Sequence, residues 1–439
     1  MRLTTTLSLL ALTAVGTLTA ATTSPANAEP APDLTNACSE FLTHPQVLET
    51  DTHPDGTPIE SRPGKVADTP VIFVHGWVST INHDETRTGY FSHYINKRAN
   101  DGAGVLLAKD DIHTSMIGLS QAIEGTQTYT FDYSQIASRW VTDPGIGQRL
   151  ADGITCLANT YQKPVVLVAH SMGGLAVREA LSHLDGPASQ YVSNVVTIGT
   201  PNLGSDSADM IASGMETTAS LPLLGLPVKL LLTGMDYCAD KMDASNEGCI
   251  GVKLVDAFRS SGGMALRRDS QQIQALPGYP QDVEVTAVVG DIQLGGLTLF
   301  GATTKPLINL GDVLVMPDSA SAGADEVATQ TCRYGMVSKR SLDEGVTRLK
   351  LLTKGDSVER PATVFTTPCW HEALLREQNT NDTVAKVIKD AVGKSAAEPA
   401  GKTAVGKSAA EPEGQDATST TQETTPTPAP VGGNEPGDE

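Results

Sequence analysis

The stretch of the sequence that could do chemistry most directly is Pro164–Gly174, which reads PVVLVAHSMGG. Its aliphatic first half is typical of a strand buried on both faces of a parallel sheet, and the residues after it read as a helix. A serine at the tight turn between strand and helix is exposed as a nucleophile, and the small residues beside it permit a close approach. The pattern therefore predicts Ser171 as a nucleophile. The alternative is a serine that only caps the helix.

The elements that must position this serine alternate between strands and helices along the chain. We expect a helix over Gly147–Tyr161 and further strands at Thr69–Gly76, Thr126–Tyr133, Val192–Gly199 and Val283–Gly290. Such alternation implies a mostly parallel sheet with helices on both faces. Active sites in sheets of this kind lie at the carboxyl ends of the strands.

The first of these strands ends in Phe73–Trp77, which reads FVHGW. A glycine at this point lets the backbone turn toward the site, so the N–H of Trp77 can point at a carbonyl oxygen. With the N–H of Met172, at the N-terminus of the helix after the serine, it would form an oxyanion hole. His75 has the chemistry of a base, but its position beside Gly76 favours a role in shaping this loop.

Three segments together resemble the successive signatures of the lipases and esterases of the α/β-hydrolase superfamily. They are VHGW, AHSMGG and, at Thr197–Ser205, TIGTPNLGS. The last is similar to a Gly-Thr-Pro-x-x-Gly-Ser segment of many bacterial lipases, and Ala169 stands where the serine motif usually has its first glycine. The resemblance covers Thr69–Ser205 well and is patchier downstream. It implies an α/β-hydrolase fold and a secreted bacterial lipase or esterase.

The order of functional residues in this superfamily then asks for an acid followed by a histidine. Of nine histidines, only His371 lies downstream of Val283. It follows the apolar pair Val364 and Phe365 and precedes a helix predicted over Thr383–Val392, which is where such hydrolases carry their base. We therefore expect His371 to be the catalytic base, the alternative being a surface histidine.

Three aspartates are candidates for the acid that orients the base. Asp312 lies in a GDVLV segment that resembles the Gly-Asp-x-x-Val segment carrying the acid in many secreted lipases. Asp291 directly follows the predicted strand that ends at Gly290, which also suits an acid. Asp318 is a more distant third. We favour Asp312 and keep Asp291 as the alternative.

Composition divides the chain into three parts. Residues 1–28 combine Arg2, an apolar run and the cleavage pattern Ala26–Ala28, and therefore predict a secretory signal peptide. Residues 29–392 form the predicted hydrolase domain. Residues 393–439 are rich in Thr, Pro and Glu without an aromatic side chain, which predicts a disordered acidic tail or, alternatively, a cell-surface spacer. No later run is long enough to span a bilayer, so we expect a secreted, extracellular protein.

The six cysteines all lie beyond the predicted signal peptide, and an even number in an exported chain predicts disulfides. Sequence alone does not select one connectivity. We expect the pairs Cys38–Cys156, Cys238–Cys249 and Cys332–Cys369. No C-x-x-C spacing indicates a zinc site, and the run Asn82–Glu85 with His93 lacks a known ligand spacing, so no metal is expected.

Residues 205–282 form an insertion after the strand that follows the serine motif. Its leucine-rich part, Leu221–Leu232, is interrupted by two prolines and a lysine and is too short to cross a membrane. We consider two interpretations, a cap-like segment that supplies an acyl pocket and an ordinary buried helix.

Charge and motifs together define the functional hypothesis. A formal net charge of -20 argues against a nucleic acid partner, because a phosphate backbone needs a basic surface. We expect a secreted serine hydrolase that cleaves carboxylic esters, with an ester or lipid substrate and no cofactor. The alternatives are an acyltransferase, a thioesterase or an amidase on the same fold, and a catalytically inactive binding protein.

Overall fold

The structure is a computed structural model, and it describes residues 33–47, 51–53, 55–77, 91, 94–96, 111–212, 260–294, 298–299, 302–303, 308–334 and 367–397. Several sequence predictions concern residues outside these ranges. They are the signal peptide, the pair Cys238–Cys249, the run Asn82–Glu85 with His93, the leucine-rich part of the insertion, the apolar pair Val364 and Phe365, and the predicted tail beyond residue 397.

A seven-stranded sheet forms the centre of the described chain. The described strands, in chain order, are β1 Thr69–Val74, β2 Tyr94–Asn96, β3 Asp111–Ser115, β4 Thr126–Phe131, β5 Val165–His170, β6 Val192–Ile198, β7 Glu284–Leu294, β8 Thr298–Leu299, β9 Ala302–Thr303, β10 Ile308–Asn309 and β11 Glu326–Tyr334. In the sheet, β5, β1 and β4 lie on one side of β6, and β7 lies on the other, all in parallel. Strand β11 pairs with β7 in parallel, and β10 pairs with the end of β7 antiparallel.

Helices cover both faces of this sheet. The described α-helices are α1 Met116–Ala122, α2 Gly147–Tyr161, α3 Met172–Ser182, α4 Asp206–Ala212, α5 Ser261–Ala265, α6 Gln271–Ala275, α7 Pro317–Ala320 and α8 Gln378–Ala397. Successive side chains of a strand point to opposite faces, and β1 and β5 are buried along their whole length, with Thr69 and His170 as their only polar residues. Helices α2 and α3 pack on one face, and α1 and α8 pack on the other. The predicted α/β-hydrolase fold, a mostly parallel sheet flanked by helices, is confirmed.

The structure differs from the sequence prediction at the carboxyl end of β7. This strand continues to Leu294 instead of ending at Gly290, because β11 pairs with it along the register that joins Thr286 to Glu326 and Leu294 to Tyr334. Asp291 therefore lies within the strand and not at its end. Hydrophobic alternation in β7 alone does not reveal how far the neighbouring strand extends it.

The last helix, α8, also exceeds its prediction at both ends. Its polar start, Gln378–Asp382, reads as a loop, yet Thr380 and Asn381 are buried. The side-chain amide of Asn381 donates a hydrogen bond to the carbonyl oxygen of Leu375 at 2.9 Å. These contacts extend the helix in the N-terminal direction. The helix ends at Ala397, beyond the predicted domain boundary at Val392.

Two of the three predicted disulfides are confirmed, and the third lies outside the described residues. Cys38–Cys156 ties the N-terminal segment to α2 across a sequence separation of 118. Cys332–Cys369 ties β11 to the loop that carries His371, with a separation of 37.

Removing the Cys38–Cys156 disulfide should lower the free energy of unfolding by about 2–5 kcal/mol, because the long loop it closes restricts the unfolded chain. The logarithmic dependence on loop length makes this disulfide more stabilising than Cys332–Cys369 by about 1 kcal/mol. Urea denaturation of the two double alanine variants measures both values. An unchanged midpoint without Cys38–Cys156 would contradict the prediction.

Candidate active site

Ser171 occupies a strained turn between β5 and α3. Its backbone has φ 54° and ψ -132°, a conformation that residues with a side chain rarely adopt. A Cβ on Gly173 would lie 2.5 Å from the carbonyl oxygens of Val74 and His75, and one on Gly76 would lie 2.8 Å from the Ser171 Cβ. The turn therefore requires small residues on both sides, as the sequence motif predicts.

His371 and Asp312 form a buried hydrogen-bonded pair. The Nδ1 atom of His371 lies 2.7 Å from the Oδ2 atom of Asp312, and both side chains are almost completely excluded from solvent. Since a carboxylate only accepts, Nδ1 carries the hydrogen of this bond, and Nε2 is the ring nitrogen that Asp312 does not contact. The His371 backbone N–H also donates to the Asp312 carbonyl oxygen at 3.2 Å. The pair is therefore joined through both side chain and backbone.

The other carboxylate oxygen of Asp312 is held by its own loop. Oδ1 accepts the backbone N–H of Leu314 at 3.0 Å and that of Val315 at 2.7 Å. The loop bends at Gly311, with φ +56°, and at Val313, with φ +79°, which is uncommon for a β-branched residue. Its conformation fixes the direction in which the carboxylate points.

Two serines at the start of the insertion donate hydrogen bonds to this loop. The Oγ–H of Ser205 donates to the Leu314 carbonyl oxygen at 2.6 Å, and that of Ser207 donates to the Val313 carbonyl oxygen. Sequence reasoning missed these contacts. The only available signal was the position of Ser205 at the end of the GTPNLGS segment.

Two glycines of neighbouring strands, Gly199 just after β6 and Gly290 within β7, make room for the His371–Asp312 pair. A Cβ on Gly199, which follows β6 with φ +58°, would lie 2.8 Å from Oδ2 of Asp312 and 3.0 Å from Nδ1 of His371. A Cβ on Gly290, in β7, would lie 2.7 Å from the Asp312 Cβ. The carboxyl-terminal halves of β6 and β7 therefore converge on the pair, on the side of a parallel sheet where active sites lie.

His170, immediately before Ser171, contacts the residue that carries the candidate base. Its Nε2 atom lies 3.1 Å from the His371 carbonyl oxygen, and the two ring centroids are 4.7 Å apart. Burial, with a smaller contribution from the nearby His371 ring, holds the pKa of His170 well below its usual value. The structure thus brings the Ser171 turn and the His371 loop together through a neutral histidine.

His75 shapes the loop that passes Ser171, as the sequence interpretation proposed. Its ring stacks on Tyr133 at a centroid distance of 3.9 Å. Nε2 accepts the backbone N–H of Tyr133 at 3.0 Å, which leaves the ring hydrogen on Nδ1 to donate to the Gly76 carbonyl oxygen at 2.9 Å. Both ring nitrogens are engaged. The N–H groups of Trp77 and Met172 belong to the two chain segments that meet at Ser171.

The other two candidate acids have different partners. Asp291 accepts a hydrogen bond from the side-chain amide of Gln293 in the same strand. Asp318 forms an ion pair with Arg268, and hydrogen bonding to this guanidinium lowers the pKa of the Asp318 carboxyl. Of the three aspartates, Asp312 is the one that the structure brings to His371.

The described part of the chain contains neither a metal cluster nor a membrane-crossing helix. Within it, no group of three or more His, Cys, Asp or Glu side chains could hold a metal ion. Among its helices, none combines the length and the apolar character that crossing a bilayer requires.

Comparison with known proteins gives one local sequence match. Residues 147–225 match the family model of lecithin:cholesterol acyltransferase. This segment runs from α2 through the Ser171 turn and β6 into the insertion. A comparison with curated proteins gives no significant match.

Solved structures with similar folds include three bacterial enzymes. The mature lipase of Bacillus licheniformis is 19% identical over 63% of this chain and 89% of that chain, with a TM-score of 0.30. The Staphylococcus hyicus lipase is 14% identical over 80% and 98%, with a TM-score of 0.36. A putative aryl esterase from Burkholderia cenocepacia is 13% identical over 75% and 93%, with a TM-score of 0.32. The sheet topology and the local family match support a hydrolase or acyltransferase on the α/β-hydrolase fold.

Replacing Gly199 with alanine should reduce ester turnover by about 100-fold, because the new methyl group would push apart His371 and Asp312. Gly186→Ala is the matched control: Gly186 also has a positive φ, of +90°, but a Cβ there meets nothing within 4 Å. Both variants carry a backbone cost of about 1 kcal/mol. The measurement is kcat/KM on p-nitrophenyl acetate, normalised to the folded fraction from circular dichroism. Equal activity of the two variants would refute this role of Gly199.

Proposed function

We propose that the protein is a secreted serine hydrolase of the lipase or esterase type, which cleaves carboxylic esters through an acyl-enzyme. The observation that carries this proposal is the buried 2.7 Å hydrogen bond between His371 and Asp312. This hydrogen bond supports a role for His371 as a base whose ring orientation is fixed. Ser171, on its strained turn, lies at the same edge of the sheet. The proposed catalytic residues are Ser171, His371 and Asp312.

In the proposed reaction, the Nε2 atom of His371 removes the proton of the Ser171 hydroxyl as its oxygen attacks the ester carbonyl carbon. Asp312 stabilises the imidazolium that forms and keeps the ring in its orientation. The backbone N–H groups of Trp77 and Met172 hold the negative oxygen of the tetrahedral intermediate. His371 then protonates the leaving alcohol. A water molecule, activated in the same way, releases the acyl group.

Acyl transfer is the second candidate activity, and the local match to the lecithin:cholesterol acyltransferase model favours it over thioester or amide hydrolysis. The chemistry differs only in the second step, where an alcohol replaces water as the acceptor of the acyl group. The same serine, histidine and acid serve both reactions. The two candidates are separated by their acceptor.

We also propose that the protein functions outside the cell after removal of residues 1–28. The disulfides Cys38–Cys156 and Cys332–Cys369 support this assignment, because disulfides form and persist in oxidising compartments. A mature N-terminus at or near Glu29 in the culture medium would agree with it.

Ser171→Ala should abolish ester hydrolysis, with a fall in kcat of about four to six orders of magnitude. Asp312→Asn should lower kcat by about 10⁴-fold, because a neutral amide cannot stabilise the imidazolium. Asp291→Asn is the matched control and should stay within a few-fold of the unmodified protein. Initial rates with p-nitrophenyl butyrate and labelling by a fluorophosphonate measure these effects. A larger loss in Asp291→Asn than in Asp312→Asn would move the acid to Asp291, and absence of labelling in the unmodified protein would indicate an inactive binding protein.

Hydrolysis and acyl transfer should be distinguishable by product analysis in the presence of an alcohol. We expect free fatty acid to remain the main product when p-nitrophenyl butyrate is mixed with a millimolar long-chain alcohol. Gas chromatography of the acid and the new ester gives the ratio. A predominance of the new ester at this low alcohol concentration would establish the protein as an acyltransferase.

A further inference from the structure

We propose that His170 is a positioning residue that sets the distance between the nucleophile and the base. Its Nε2–H donates a hydrogen bond to the main-chain carbonyl oxygen of His371 at 3.1 Å. The inference rests on the proposed function, in which Ser171 and His371 react together. It adds a role to a residue that the proposed reaction does not use.

The direction of this hydrogen bond follows from the acceptor. A carbonyl oxygen has no hydrogen to give, so Nε2 of His170 must be the protonated ring nitrogen. His170 is 3% exposed, and its ring packs against that of Phe91 in a T-shaped contact with a centroid distance of 6.4 Å. The side chain is therefore confined, and its single Nε2–H has a defined direction.

The hydrogen bond from His170 differs from the other restraints on His371 in the part of the structure from which it comes. Its backbone N–H and its Nδ1–H both go to Asp312, and the disulfide of Cys369 ties the same loop to β11. These restraints all lie on the β7 and β11 side of the site. Among the described residues, His170 provides the hydrogen bond to His371 from β5, the strand that leads into the nucleophile.

The neighbour of His170 in the chain is the nucleophile itself. The backbone N–H of Ser171 donates to the Ile198 carbonyl oxygen at 2.9 Å, which fixes the turn on the end of β6. His170, whose side chain hydrogen-bonds His371, is therefore joined by one peptide bond to Ser171, whose position is fixed. Without this hydrogen bond, His371 stays bonded to Asp312 but is free to move away from Ser171.

The charge of the donor is also defined by the site. His371 becomes an imidazolium during the proposed reaction, and a second cation with its ring centroid 4.7 Å away would oppose that step. Burial keeps His170 neutral. His75, which is also buried nearby, holds its ring in backbone hydrogen bonds. His170 thus supplies a hydrogen-bond donor without a positive charge, which a lysine or arginine could not do.

The test compares His170→Leu, which removes the donor, with His170→Gln, whose amide nitrogen occupies the position of Nε2 and carries N–H without titrating. We expect His170→Leu to lower kcat by about 10- to 100-fold with KM within about twofold, because a misplaced base slows the chemical step. His170→Gln should recover most of the loss. Rates are measured with p-nitrophenyl butyrate and divided by the active-site concentration from fluorophosphonate titration.

His44→Leu is the matched control, since the His44 ring also hydrogen-bonds a backbone carbonyl oxygen, that of Thr128 at 2.9 Å, outside the candidate site. It should lower stability and leave kcat unchanged. A kcat of His170→Leu within about threefold of the unmodified protein, or a His170→Gln variant as slow as His170→Leu, would overturn the proposal.

A second measurement does not depend on ester hydrolysis. The Nδ1 proton of His371 should give a downfield proton NMR signal that is absent in Asp312→Asn. We expect the signal to broaden in His170→Leu and to persist in His170→Gln. This result in a protein without hydrolase activity would refute the proposed function and support the positioning role, and an unchanged signal in His170→Leu would refute that role.

Discussion

The buried carboxylate of Asp312 is the constraint on which the candidate site depends. An ionised carboxylate that leaves water loses several kcal/mol of hydration unless donors replace the solvent. The Asp312 side chain is completely buried, and its donors are the N–H groups of Leu314 and Val315 and the Nδ1–H of His371. Because these donors belong to two loops far apart in the sequence, the His371 loop must dock on the acid for the burial to be tolerated. Folding and assembly of the site are therefore coupled.

The loop that carries this carboxylate has an energetically unfavourable backbone conformation. Val313 has a positive φ, and a residue held in such a conformation costs about 1–3 kcal/mol. The cost is offset by hydrogen bonds from Ser205 and Ser207, each worth about 1 kcal/mol, to carbonyl oxygens of the bent loop. Gly199 contributes by having no side chain at the point of closest approach. The acid is thus held by a strained loop, by the first turn of the insertion and by a glycine of another strand.

Sequence reasoning succeeded where the signal is local. The aliphatic run before Ser171 and the small residues around it specify a buried strand and a tight turn without reference to the rest of the chain. It failed where a partner decides the outcome: β7 passes through Asp291 because β11 lies beside it, and α8 starts at Gln378 because Asn381 finds a carbonyl partner. The contact between His170 and His371 joins residues 201 positions apart. Composition and periodicity carry no information about such a pair.

The contacts made at the two ends of the insertion differ in how strongly they stabilise the loop that carries Asp312. Arg268 pairs with Asp206 and Asp318, but these groups are partly exposed, and such ion pairs contribute about 0–1 kcal/mol each. The hydroxyl of Ser205, on a residue that is 4% exposed, donates to a carbonyl oxygen of the acid loop, and leaving that oxygen unsatisfied would cost about 1–3 kcal/mol. The serine contacts therefore dominate. They join the start of the insertion to the loop that presents Asp312, so in the proposed reaction a shift of these residues would displace the acid that orients His371.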